Sequence, residues 1–263
     1  MKNIDLHKKY ESIYNKGSLK YFSITGFSMS KLIIDLMPNW DNLDVLDIGC
    51  GEGRLAAMLS FAGAKKVDAV DYSSEAINIA QNTINLKNVS FICADYTSVN
   101  KRYDVVVLQG VLEHFDNSFE ALKNIIEKNL KDTGKVILTV PSFLNPRGYV
   151  WMTLQLLFNV PMSLTDINFM CPFDFEDFCK SRGYILEEIK STDQDWGSGE
   201  RAIIDLSKRL PNALKDAGMD YSNADKLLEW LSKAVKYHRT DDFSGAIVGY
   251  KISKKVKHDN RGK

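Results

Sequence analysis

The apolar residues along this chain change their spacing several times, and the changes mark out its elements. In "NLDVLDIGC" they run almost unbroken and then empty into glycines. A short run of that kind reads as a strand buried on both faces. Directly after it, "GRLAAMLSFAG" spaces its apolar residues along one face of a helix and closes on Gly63. The alternation then repeats. Strands are predicted in "KKVDAVDYS", "VSFICADY", "YDVVVLQG" and "GKVILTVPS". Helices are predicted between them, in "SSEAINIAQNTINL" and "FEALKNIIEKNLK", and upstream in Asp5–Lys16 and in "SMSKLIIDLM", which Ser28 opens and Pro38 ends.

Beyond Pro141 the order loosens. "GYVWMTLQLLFNV" and "DFEDFCKSRG" read as helices and "YILEEIKS" as a strand, and "SGAIVGYKISK" is the last strand. Residues 191–243 lie between those two strands and carry two helical patterns of their own. Ile203, Ile204, Leu206, Leu210 and Leu214 are expected on one apolar face, and Leu227, Leu228, Trp230, Leu231 and Val235 on another. Strands alternating with helices imply right-handed crossovers and a parallel sheet covered on both sides.

Composition narrows the function without naming it. The chain has 263 residues and a formal net charge of +0, so no field of one sign draws it to nucleic acid or to an acidic membrane. No apolar run approaches a membrane span, and the first residues show no apolar signal core. The four cysteines form no CxxC pair, as suits buried thiols in a reducing compartment, and a cytoplasmic location is expected. No metal is expected, because the histidines are scattered, with no i,i+4 pair and no cysteine partners. An oxygen-rich magnesium site among Asp193, Asp195, Asp241 and Asp242 stays open.

The glycines after the first strand carry the chemistry. In an open α/β sheet the first strand–helix turn borders the ligand crevice, and glycine lets the backbone turn tightly there. A dinucleotide fingerprint wants a small residue where Arg54 stands, and a phosphate loop wants a Lys that "GCGEGRLA" lacks. An acid, Asp47, instead precedes Gly49, Gly51 and Gly53. Asp71 ends the second strand, Asp95 follows the third and "LQGVLEHF" follows the fourth. Together these resemble the motifs of class I S-adenosylmethionine (SAM) methyltransferases, from Leu43 to Val140 and again in the final strand. "VLEHF" in particular resembles the branch acting on small metabolites such as quinone precursors and sugars.

The resemblance implies a Rossmann-like, doubly wound seven-stranded sheet with an antiparallel last strand, in one domain over residues 1–263. It implies SAM as cofactor and S-adenosylhomocysteine as product. Asp71 would accept from the ribose hydroxyls, and Tyr72 would lie against the adenine. Asp95 and the backbone of Tyr96 would meet the adenine edge, Asp47 the methionine end, and Gln109 the cofactor's reactive end. Residues 1–30 would cover the cofactor, with Tyr21 or Tyr14 at the methionine carboxylate. Residues 191–243 are expected to act as a helical lid over the substrate; a dimerisation face is the other reading, so monomer and homodimer both stay open.

Among candidate catalytic groups His114 comes first as a base and His238 second, while Glu113 is expected to face away or cap the next helix. Arg147, Tyr237 and Arg239 are the candidate substrate contacts, and the two arginines suit an anionic small molecule. The expected reaction is O-methylation of a small polar metabolite, with a sugar, phosphoryl or phosphoramidate group of capsule biosynthesis within its range. N-methylation of an amino sugar or amine is the alternative and would call for an acidic pocket. A non-catalytic SAM-fold subunit would show a damaged cofactor motif, whereas every acid and glycine of this one stands.

Overall fold

In the computed structural model, which describes residues 26–161, 166 and 168–255, α1 (Gly26–Asp35) leads into β1 (Asp44–Ile48) and α2 (Arg54–Phe61). Then follow β2 (Lys66–Asp71), α3 (Ser74–Thr83), β3 (Val89–Cys93), β4 (Tyr103–Gln109), α4 (Ser118–Asn129) and β5 (Leu130–Pro141). The second half holds α5 (Pro146–Phe158), α6 (Pro172–Arg182), β6 (Tyr184–Thr192), α7 (Gln194–Ser198), α8 (Glu200–Asp216), α9 (Ala224–Ala234) and β7 (Ile247–Lys254). The expected helix at Asp5–Lys16, with Tyr10, Tyr14 and Tyr21, lies outside the described residues.

The strands form one sheet in the order β3-β2-β1-β4-β5-β7-β6. β1 to β5 run parallel, and β7 pairs antiparallel with both β5 and β6. Strand order reverses between β1 and β4, so the crevice of a doubly wound sheet opens at their carboxyl ends. One face buries Leu46, Val106, Leu108, Leu138 and Tyr250 under α4 and α6. The other buries Val45, Val67, Val105 and Ile137 under α1 and α2. All seven predicted strands are present. β5 starts four residues earlier than its sequence pattern suggests, because Leu130 already pairs with Tyr103 across a register shift.

The residues between β6 and β7 form α7, α8 and α9, and they do not stand alone. Leu206, Leu210, Leu228 and Leu231 share a third apolar cluster with Phe143, Trp151 and Leu154, so α5 belongs to the same body. Two expected faces need correction: Ile204, Leu227 and Trp230 are exposed, because the buried stripes run through Ala202, Leu206 and Leu210 on α8 and Ala224, Leu228 and Leu231 on α9.

The three glycines after β1 all have positive φ: Gly49 +70°, Gly51 +52° and Gly53 +80°. Two of them are also hemmed in. A Cβ on Gly49 would sit 2.5 Å from Val111, and one on Gly53 would sit 2.5 Å from the Phe91 ring. Gly183, with φ +71° and nothing within 4 Å of such a Cβ, provides the control. Gly183→Ala is expected to cost about 1 kcal/mol for backbone strain alone. Gly53→Ala should cost about 2–4 kcal/mol, since strain and overpacking add. Urea unfolding compares the two; equal losses would refute the steric account of the loop.

Candidate active site

Side chains alternate along a strand, and that alternation decides which polar groups meet. Asp47 on β1, Asp71 on β2, Gln109 on β4 and Thr139 on β5 share the register of Val45, Val67, Val105 and Ile137. They therefore lie on the face covered by α1 and α2, at or near the strands' carboxyl ends. Two acids and two neutral polar groups border the crevice together.

Asp71 ties the region together. One of its oxygens accepts from the Gly51 N–H at 2.9 Å and the other from the Ser73 N–H at 2.9 Å. It thus clamps the glycine loop to the start of α3, which Ser73 caps through the Ala76 N–H. A carboxylate accepts up to about four hydrogen bonds, so this structural duty does not compete with holding a diol.

Asp47 is 1% exposed, and its Oδ2 has no hydrogen-bond partner. Burial, with the nearby Asp71 charge adding to it, pushes its pKa up to about 8. A buried acid in this state is incomplete: it holds a proton or waits for a cation.

Helix α1 roofs these groups. Ser30 donates to the Gln109 side chain at 2.6 Å, and Ser28 donates to Asp193 at the end of β6 at 2.6 Å. Tyr72 is half-buried beyond Asp71. Asp95 is exposed and caps the short 3-10 turn Tyr96–Ser98, accepting from both the N–H and the hydroxyl of Thr97. The Tyr96 ring stacks on Phe115 with centroids 5.1 Å apart.

A second polar group lies just past β4. The 3-10 turn Leu112–His114 carries Glu113 inward, 4% exposed, and His114 Nδ1 lies 3.8 Å from an Asp166 oxygen. Glu113 therefore neither faces away nor caps α4, whose N-cap residue is Asn117. Burial raises its pKa well above the usual carboxylate range, and Asp166 adds to the shift. Asn168 fixes this arrangement: its N–H and its side chain donate to the Glu113 carbonyl, and its side chain also donates to the Phe115 carbonyl at 2.6 Å. Sequence reasoning missed Asp166 and Asn168, because they stand more than fifty residues from the turn they meet in a stretch with no pattern of its own.

The expected substrate contacts separate. Arg147 does not stand at a pocket mouth. It is 9% exposed in the first turn of α5, its guanidinium lies 3.6 Å from Asp205 on α8, and it sits over the Trp151 ring. Arg209 pairs with the same Asp205 at 2.9 Å. Tyr237 is 88% exposed on the 3-10 turn after α9, and Arg239 is exposed too, so neither side chain faces inward. His238 is half-buried, with its Nε2 enclosed and without a hydrogen-bond partner.

A seven-stranded sheet in this order, with acids at the ends of β1 and β2 around a glycine loop, is the framework expected of a SAM-dependent methyltransferase. The comparisons agree. Residues 26–189 match the Methyltransferase domain family, and the chain belongs to it. It is 29% identical over 144 residues to the malonyl-[acyl-carrier protein] O-methyltransferase of Priestia megaterium, covering 53% of this chain and 52% of that one. It is 27% identical to the ubiquinone biosynthesis O-methyltransferase of Rickettsia bellii over 57% of this chain and 64% of that one. The chain thus spans about half the length of the first of these relatives. Among solved structures it superposes on the Mycobacterium tuberculosis cyclopropane synthase MmaA2 with a TM-score of 0.56 at 16% identity, covering 87% of this chain and 84% of that one. The DhpI–SAM–HEP complex gives a TM-score of 0.58 at 20% identity, covering 72% and 92%. Both show the shared fold.

The residues present suit that cofactor. SAM carries an ammonium and a sulfonium, and the buried Asp47 carboxyl near Asp71, whose Oδ2 has no hydrogen-bond partner, has the chemistry to receive a cation. Among the described residues, no helix is long and apolar enough to cross a membrane.

Asp47 also sets a pH dependence. The unfolded chain ionises this group near 3.8, while the folded chain keeps the proton up to about 8. Between those values the folded state binds more protons, so stability falls as pH rises, and Glu113 acts in the same direction. Asp47→Asn is expected to flatten part of that slope and to be more stable than the parent at pH 8 without SAM. Urea unfolding at pH 5, 6.5 and 8 measures it; an unchanged slope would remove Asp47 as the holder of the proton.

Proposed function

We propose that the protein transfers a methyl group from SAM to an oxygen of a small polar acceptor, placed between the Asp47–Asp71 edge and the Glu113–His114–Asp166 cluster. SAM supplies an electrophilic methyl carbon on a good leaving group. The chain's own work is then to place the acceptor and draw off its proton. Asp71 accepts from the ribose hydroxyls, and Asp47 faces the methionine ammonium. Tyr72, Asp95 and the Tyr96 backbone border the adenine, and Gln109 stands beside the reactive end. The observation that carries the reading is the pairing of His114 with Asp166, 3.8 Å apart just beyond the strand that bears Gln109. A histidine oriented by a carboxylate is suited to take a hydroxyl proton. His238, directly after the 3-10 turn that follows α9, is the second candidate.

That body serves as the lid over the acceptor, shedding water from the reacting groups. Its buried charge speaks to the acceptor. Asp205 balances Arg147, and Tyr237 and Arg239 face solvent, so the arginines favour a neutral hydroxyl, as on a sugar or a phenol, over a phosphoryl or phosphoramidate group. A capsule sugar fits this description, and so does a quinone precursor. The acids Glu113 and Asp166 also suit a cationic amine, which keeps N-methylation as the second reading.

Two variants test the assignment. Asp71→Asn keeps one oxygen for the loop and is expected to weaken SAM binding about ten- to hundredfold, since charged hydrogen bonds contribute about 1.5–3 kcal/mol each. Calorimetry reads it, and unchanged affinity would refute the ribose role. His114→Ala is expected to lower kcat by about a hundredfold or more with SAM affinity unaltered. Methyl transfer to sugars, phenols and amino sugars, followed in parallel, identifies the acceptor atom; transfer to nitrogen alone would overturn the oxygen reading.

A further inference from the structure

Enclosed polar atoms without partners are uncommon, because each loses its water and gains no hydrogen bond in return. Among the described residues nine side-chain nitrogen or oxygen atoms are in this state, and four of them lie on α5 and α8. Arg147 Nε and Trp151 Nε1 are donors, and Gln155 Oε1 and Asp205 Oδ2 are acceptors. Arg147, Trp151 and Gln155 stand four residues apart, so they form one stripe along α5. That stripe faces α8: Arg147 meets Asp205 at 3.6 Å, and the Arg209 guanidinium lies 5.5 Å from the centre of the Trp151 ring. Arg147 and Trp151 are both more than nine-tenths buried. The two helices do not need these groups to pack, since Leu154, Leu206 and Leu210 already share an apolar cluster. The stripe also reaches toward the Glu113–His114–Asp166 cluster, because Asp166 and Asp193 act on the Arg147 charge along with Asp205.

We propose that Arg147, Trp151, Gln155 and Asp205 bind a neutral saccharide as part of the methyl acceptor, and that they select it over a phenol. The inference rests on the oxygen-methylation reading above and names its substrate class. A sugar ring carries several adjacent hydroxyls, each able to donate and to accept, so it can meet two donors and two acceptors at once. Its C–H face also packs against an aromatic ring, which Trp151 supplies. A phenol brings a single hydroxyl and would leave most of these atoms unpartnered, and a site built for hydroxyls rejects what lacks them.

Charge decides against an anion. An anionic group would compete with Asp205 for Arg147, and parting a buried ion pair is costly. A neutral sugar takes Arg147 Nε and Asp205 Oδ2 and leaves that pair standing. Arg209 provides the way in. Its side chain is 47% exposed and lies over the Trp151 ring, held to Asp205 at 2.9 Å. A half-exposed ion pair holds weakly, so this side chain can swing outward and uncover the ring.

Saturation-transfer NMR titrations of the full chain with S-adenosylhomocysteine present test the proposal. The probes are methyl glucoside, methyl mannoside, methyl galactoside and cellobiose, and at least one is expected to bind. Trp151→Phe keeps an aromatic ring but removes the N–H, and Gln155→Leu removes an acceptor. Each should weaken that binding about threefold to tenfold, with S-adenosylhomocysteine affinity unchanged. Gln155→Leu also removes an enclosed atom without a partner, so it is expected to fold at least as well as the parent, which unfolding by urea checks. Binding of none of the four probes by the parent, equal binding by both variants, or tighter binding of inorganic phosphate than of any probe would overturn the proposal. Methyl transfer to phenols alone would also overturn it, while leaving the oxygen-methylation reading intact. Saccharide binding lost in both variants, with transfer to nitrogen alone, would leave the binding site standing and remove the reading on which its role rests.

Discussion

The clamp formed by Asp71 is the interaction on which the site depends. Its two oxygens hold the glycine loop after β1 and the start of α3 at once. The loop is tied to one geometry by its positive φ angles and by the Val111 and Phe91 side chains that crowd it. Because Asp71 ends β2 and the loop ends β1, the parallel pairing of those two strands aligns them before any ligand arrives. The same alignment sets the Asp47 carboxyl, buried and without a partner at its Oδ2, beside a second acid. A site organised in this way attracts positive charge.

The proposed acceptor side is built differently. It relies on elements far apart in sequence: the turn after β4, the segment around Asp166 and Asn168, and the helices between β6 and β7. Within it, α8 and α9 are held to α5 by a separate apolar cluster. Arg147, Asp205 and Arg209 form a charged seam within that body. A paired arginine and acid in a nearly dry setting cannot be parted cheaply, so the seam holds the two elements in one arrangement.

Much of the framework was legible in the sequence. The seven strands, the glycine loop and the acids at the ends of β1 and β2 all stood where local pattern placed them, because period and turn chemistry act over a few residues. Less legible was what each side chain does once packed. Arg147 read as a pocket residue and became the buried partner of Asp205. Ile204, Leu227 and Trp230 read as core and emerged exposed, because the helix faces were fixed by their neighbours. Glu113 read as an outward residue, but the 3-10 turn rotates it inward.

The sequence by itself determined the sheet and the glycine turn after its first strand, since those follow from strand period and turn chemistry over a few residues, and the cofactor class followed from the family that those motifs resemble. Only the tertiary structure decided that Glu113, His114 and Asp166 converge, and that the basic residues of the cap are balanced or turned outward. Those contacts join residues some fifty or more positions apart, and no local propensity encodes a distance that packing alone sets.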